Sequence, residues 1–272
     1  MPAQKLTDGL RDATAAPADE RDPAYVQVLE KALRVIKAFN HDAPAMSLSD
    51  VAKRTSLTRA GARRILLTLE RLGYVGRAGR QFSLRPRVLD LGFAYLSAIK
   101  WTEAALPYME AFVKEVQESC SATVLDDLDI VYVARVPTRR LMTVELNVGA
   151  RLPAYATAMG RVLLAGLSPA ELEAYLAAVK LERLTPRTVT SRAKLRSAVA
   201  AAHKDGWCAV DQELEVGLRS IAVPIRDRQG RAFAAINMSS HASRATIEEL
   251  ARRPLPLLMK TARQIEATVA FR

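Results

Sequence analysis

Thr58, Arg59, Ala60, Arg63 and Arg64 crowd the start of a stretch with helical spacing, and their side chains suit one kind of chemistry. An arginine presents N–H donors in a planar fork that matches a phosphate or the O6/N7 edge of guanine. Small residues beside the arginines let a helix approach a groove closely. Arg77 and Arg80 follow on a glycine-containing hairpin pattern and can reach phosphate or a minor groove. Ser49, one helix earlier, is counted with this set. Together these residues describe recognition of a polyanion.

Bond-making chemistry is harder to find. His41, His203 and His241 are far apart and lack metal-ligand spacing. Cys120 and Cys208 form no CxxC pattern, and no nucleophile elbow, P-loop or dinucleotide fingerprint occurs. Asp126, Asp127 and Asp129 could be paired carboxylates, but a polar hairpin turn accounts for them better. No catalytic residue, metal or cofactor is assigned on this basis.

The elements that position the arginines run from Met46 to Leu84. Ser47 or Ser49 can cap a first helix carrying Leu48, Val51 and Ala52. Thr58 is a natural N-cap for a second, whose Ile65, Leu66, Leu69 and Leu72 form one apolar stripe that a core would bury. Gly73 falls where a glycine ends a helix. Residues 74–77 and 80–84 around Ala78-Gly79 read as a two-stranded wing. Helix-turn-helix plus a basic wing is a DNA-reading shape. The bland alternative is an amphipathic helical hairpin with a solvated charged face.

Charge placement agrees with the first reading. The net charge is +11, yet residues 25–87 hold 13 Lys+Arg against 4 Asp+Glu, a balance of +9, and the rest of the chain only +2. Such an excess fits a phosphate-backbone partner. The 272 residues, half of them hydrophobic, suggest two domains with real cores. No apolar run approaches the roughly 20 residues of a bilayer span, so no membrane partner is expected. The N-terminus has no apolar h-region, so no secretory signal is expected. Two cysteines are too few for a disulfide framework, and a reduced, cytoplasmic location is expected.

Residues 1–23 read as a disordered tail, residues 24–86 as the winged helix-turn-helix domain, 87–100 as a linker helix, and 101–272 as a second domain. In the first domain Val28, Leu29, Ala32, Leu33, Val35 and Ile36 form a stripe that can pack behind the helix-turn-helix. The linker is too apolar for a flexible tether. A second copy of itself is the economical partner, and packing on its own C-terminal domain is the alternative. After a helix from Trp101 to Ser119, strands are expected at 122–125, 130–134, 142–146, 208–211, 219–226 and 231–239, with helices capped by Thr157, Ser168 and Ser191. The fold class is therefore α+β, with a largely antiparallel sheet flanked by helices. Polar groups at strand ends, namely Asp211, Ser220, Asn237 and Ser239, with Met159 as an apolar wall, are candidate ligand contacts. Each alone is weak, because a serine or asparagine on a strand is usually a solvated edge group.

The stretches SLSDVAKRTSLTRAGARRILLTLERLGYV, RLPAYATAMGRVLLA, DGWCAVDQELEVGLRSIAVPIRD and FAAINMSS resemble those of IclR-family transcriptional regulators, over about residues 25–271. VPTRRLMTVELNVGARLPAYATAMGRVLLA further resembles the branch of the PcaR, PcaU and PobR regulators, which control degradation of aromatic acids through the β-ketoadipate pathway. The resemblance implies a GAF-like effector domain and a homodimer joined through the DNA-binding half, often paired into a dimer of dimers. It implies an effector pocket at Ala158, Met159, Asp211, Ser220, Asn237 and Ser239, with Val144 and Leu152 on apolar lining positions. Relatives often carry serine where Asn237 stands. A small carboxylated effector such as protocatechuate, 4-hydroxybenzoate or a β-ketoadipate-like acid needs cationic or N–H donors. Arg139, Arg140, Arg219 and the helix start near Met159 qualify, while surface ion pairing would explain the arginines equally well. The expected function is an operator-binding regulator. An enzyme acting on a small acid and a nonspecific DNA-packaging protein are the competing classes.

Overall fold

The computed structural model describes residues 24–138 and 146–270. These fall into two compact units that part between Ala98 and Ile99. The expected tail lies outside the described residues, as does the expected strand at 142–146 apart from Leu146.

The N-terminal unit contains helix α1 (Gln27–Lys37), strand β1 (Ala45–Ser47), helices α2 (Leu48–Arg54) and α3 (Arg59–Arg71), and wing strands β2 (Val75–Ala78) and β3 (Gln81–Leu84). β3 lies between β1 and β2 in an antiparallel sheet. Ser47 caps α2 in a reciprocal box with Asp50, and Ser49 is left exposed. The Thr58 side chain accepts from Gly61 N–H at 3.1 Å and caps α3. Gly73 ends that helix with φ +82°, where Tyr74 N–H bonds to Leu69 C=O at 2.9 Å and Gly73 N–H to Glu70 C=O at 3.0 Å. Val35, Val51, Ala62, Leu66, Leu69, Val75 and Phe82 close the core.

Two expected stripes are only partly buried. On α3, Ile65, Leu66 and Leu69 are buried, but Leu72 is 52% exposed. On α1, Val35 is buried while Val28 and Leu29 are each 60% exposed. The linker also differs in its start. A short 3₁₀ turn (Pro86–Val88) precedes helix α4 (Leu89–Ala98). Arg87 sits over the Tyr74 ring at 5.6 Å, so it belongs to the wing. α4 buries no residue, and Leu89, Leu91, Phe93 and Tyr95 are exposed.

The C-terminal unit is α+β. Helix α5 (Trp101–Val116) leads into strands β4 (Ser119–Asp126), β5 (Asp129–Val136) and β6 (Arg151–Pro153). Helices α6 (Ala158–Leu164), α7 (Pro169–Ala178) and α8 (Arg192–Asp205) follow. Strands β7 (Cys208–Asp211), β8 (Leu218–Arg226) and β9 (Ala232–His241) and helices α9 (Ile247–Arg252) and α10 (Pro254–Ala270) complete it. The six strands form one antiparallel sheet in the order β6-β5-β4-β9-β8-β7.

Alternation along the central strands assigns their two faces. Cys120, Ala122, Ile221, Val223, Ile236 and Met238 pack with Met109 and Phe112 of α5 and Leu258 and Ile265 of α10. The intervening residues, Ser119, Ser121, Ser220, Asn237 and Ser239, face the other way, beneath the α6 side. A sheet face built from hydroxyls and an amide is a poor core, and that is where the candidate site lies.

Candidate functional site

On the N-terminal unit, Arg59, Ala60, Arg63 and Arg64 are all exposed at the start of α3. The helix opens with no acidic residue in its first turn. Arg80 is exposed beside Gly79, whose φ of +60° makes the wing's turn. Arg77 is partly engaged, its Nε 3.4 Å from Glu70 of α3. Thr58 uses its oxygen as the helix cap.

On the C-terminal unit, a cavity of about 40 Å³ lies over the polar sheet face. Strand register builds its floor in two rows. One runs Val210–Ser220–Ser239–Ser119 across β7, β8, β9 and β4. The next runs Asn237–Ser121–Arg135 across β9, β4 and β5. Asn237, buried, joins the rows. Its Oδ1 accepts from Ser121 N–H at 3.1 Å, and its Nδ2 donates to Ser220 Oγ at 3.1 Å and Ser239 Oγ at 3.0 Å. Arg135 closes one end, its Nη1 3.5 Å from Ser121 Oγ. Among the described residues no carboxylate lies within ion-pairing distance of Arg135.

The remaining walls are mostly apolar: Tyr132, Leu146, Ala156, Met159, Leu214 and Leu218. Burial pushes the Tyr132 phenol upward, with Arg135 opposing, so it stays a neutral O–H. Met159 is held by Thr123, whose Oγ1 lies 3.3 Å from its Sδ. Thr157 caps α6 by accepting from Gly160 N–H at 3.0 Å. A Cβ on Gly160 would fall 2.1 Å from Ala154 C=O, so only glycine lets α6 sit this close.

The structure brings together Ala158, Met159, Ser220, Asn237 and Ser239 of the expected pocket. It does not bring Asp211 or Leu152 into the lining. Asp211 follows Val210 on β7, so alternation turns it away, to Arg219 Nε at 2.6 Å and to Arg187. Leu152 pairs with Ile130 on the short β6 and is buried in the core there. Arg219 is taken up by Asp211 and by the carbonyls of Ala242 (2.8 Å) and Ala245 (2.7 Å). Val144, Arg139 and Arg140 lie outside the described residues. The sequence reading missed Arg135, Ser119, Ser121, Tyr132 and Thr157 as lining. The alternation Ser119-Cys120-Ser121 would have signalled two of them.

Neither cysteine offers a reactive thiolate. Burial raises the Cys208 thiol to about 11, against the pull of Arg161, and raises that of Cys120 further. Among the described residues no group of three or more His, Cys, Asp or Glu could hold a metal, and no helix is long and apolar enough to cross a membrane.

The sequence and structure resemble known proteins throughout. Residues 28–79 match the IclR helix-turn-helix domain, and residues 93–267 match the bacterial transcriptional regulator IclR C-terminal domain. The chain is 42% identical over 245 residues to the Pca regulon regulatory protein of Pseudomonas putida, covering 90% of this chain and 84% of that one. It is 34% identical over 254 residues to the p-hydroxybenzoate hydroxylase transcriptional activator of Acinetobacter baylyi, covering 92% and 94%. An IclR homologue of Microbacterium hydrocarbonoxydans, crystallised in complex with 4-hydroxybenzoate, superposes with a TM-score of 0.79 at 28% identity, covering 90% of this chain and all of that one.

Proposed function

Because the chain belongs to the IclR family of bacterial transcriptional regulators, we propose that its pocket is the switch of an aromatic-acid-responsive, operator-binding homodimer of the cytoplasm. The observation that carries the ligand reading is the layout of the polar floor. A guanidinium sits at one end, on β5, and a neutral serine–asparagine network runs from one to three strands away, about 5–15 Å. An aromatic ring with a carboxylate at one end and a hydroxyl at the other spans such a distance. Arg135 pairs with the carboxylate, Ser220 and Ser239 meet the hydroxyl, and Met159 and Leu214 cover the ring. Relatives whose names refer to Pca and p-hydroxybenzoate genes, and a homologue bound to 4-hydroxybenzoate, support the same ligand class.

A ring needs more room than the cavity now offers, so the wall must yield on binding. Met159 is unbranched and flexible and can give way. On the N-terminal unit, the exposed arginine face of α3 reads the major groove and the wing tip contacts backbone. A second copy covers the apolar residues that α1 and α4 leave exposed.

The test is a thermal-shift series with 4-hydroxybenzoate, protocatechuate and β-ketoadipate. A ligand at a hundred times its Kd stabilises the folded state by about 2.7 kcal/mol, which raises Tm by a few degrees. At least one acid should do this, and Arg135→Ala should abolish the shift. No shift with any of the three, or a full shift in Arg135→Ala, would overturn the ligand reading.

A further inference from the structure

We propose that the buried Arg161–Glu213 ion pair is a positioning device for the pocket, holding its backbone walls in place so that the size of the ring it accepts is set. Arg161 Nη1 donates to Glu213 Oε1 at 2.7 Å and Nη2 to Oε2 at 2.6 Å, a bidentate pair. The residues are 4% and 8% exposed. Neither lines the cavity, so both act through their neighbours.

Those neighbours are the walls. Arg161 Nε donates to Tyr155 C=O at 3.0 Å, just ahead of the lining residues Ala156 to Met159. Glu213 directly precedes the lining residue Leu214. Its carboxylate accepts Val189 N–H at 2.9 Å, and its carbonyl accepts Thr188 Oγ1 at 2.6 Å. One pair thus ties together the turn before α6, the loop after β7 and the segment 185–189. The missing side chain at Gly160 is what lets that turn lie against α6.

Two charges withdrawn from water are a costly way to gain stability, and well-packed apolar residues often do as well. A bidentate pair supplies what they cannot, a fixed distance and direction between backbones. Ligand binding can then move the Met159 side chain while the chain behind it stays in place. The affinity part of this proposal rests on the ligand reading above, whereas its backbone part does not.

The test compares wild type, Glu213→Gln and the double variant Arg161→Met/Glu213→Leu, as full-length protein. Hydrogen exchange should quicken about tenfold at residues 156–163 and 212–218 in both variants, while β4, β8 and β9 keep their protection. Wild type should bind 4-hydroxybenzoate more tightly than the bulkier 4-hydroxy-3-methoxybenzoate in calorimetry, and the variants should lose much of that preference. A merely structural role would lower Tm and leave the preference intact. Wild-type exchange at both segments in a folded variant, or an unchanged affinity ratio, overturns the proposal. If the double variant fails to fold, Glu213→Gln, which keeps the packing volume, decides by the same criteria. If wild type binds neither acid, the exchange comparison alone judges the clamp.

Discussion

Asn237 engages both ends of its side-chain amide within the sheet, with Ser121 N–H on one side and two serine hydroxyls on the other. A residue so placed orients the hydroxyls of the floor more than it offers itself to solvent. Asn237→Leu should leave Ser121 N–H and the serine hydroxyls under-satisfied, at about 1–3 kcal/mol for a buried group. We expect the effector response to be lost, with operator binding in the absence of effector near wild type. Calorimetry and gel shift check this, and a wild-type ligand affinity would place the effector elsewhere. Asp211 supplies a pH prediction. The hydrogen bond from Arg219 holds its carboxyl below the usual range, with Arg187 helping, against the effect of burial. A carboxyl depressed in the folded state adds stability that is fully present above its unfolded value, about 3.9. That contribution is lost as pH falls from there through the folded value. Melting curves of wild type and Asp211→Asn should therefore differ at neutral pH and converge in acid. A constant difference down to about pH 2 would remove Asp211 from the acid response.

Helices were largely legible because their caps are local signals. Thr58, Thr157, Ser168 and Ser191 each accept an N–H from the first turn of the helix they were expected to start. Strand ends were less legible, and three of the missed pocket residues, Ser119, Ser121 and Arg135, lie there. Ser119 and Ser121 fell outside a strand expected to begin at Ala122, and Arg135 fell one residue past the expected end at Ala134. What extends β4 is its pairing with β9, Ser119 opposite Ser239 and Ser121 opposite Asn237, a contact between segments more than a hundred residues apart. No local propensity encodes that. Asp211 was misplaced for a related reason, since which alternate residue of a short edge strand faces inward depends on its partner. Helix α3 is the element whose function can be tested directly. Arg59, Arg63 and Arg64 are exposed near its start, while Ile65, Leu66 and Leu69 are buried. Arg63→Ala should weaken operator binding by about 1–3 kcal/mol if the guanidinium reads a base through two bonds. Unchanged affinity in gel shifts of Arg59→Ala, Arg63→Ala and Arg64→Ala would exclude this face from DNA.

At the scale of the molecule, periodicity shows that a face is apolar but not which chain covers it. Val28 and Leu29 of α1 were expected behind the helix-turn-helix, yet both are 60% exposed, and Phe93 of α4 is 69% exposed. These residues belong to the N-terminal unit, whose residues 25–87 carry a balance of +9 out of the chain's +11. Large apolar side chains left in water beside a polyanion-binding face call for a partner, and a second copy brings a second recognition helix for a two-fold operator. Leu91→Asp with Leu96→Asp places charge on α4, where one leucine is 49% exposed and the other half-buried. If α4 pairs between copies, sedimentation of the double variant should show a smaller assembly than wild type. Operator affinity should fall with it, because each copy then binds only one half-site. The acid-induced rise in Tm should survive, since the pocket is built from residues after Ile99 alone. A double variant that keeps the wild-type mass would mean that α4 does not join subunits. The exposed residues of α1 would then be the next surface to charge.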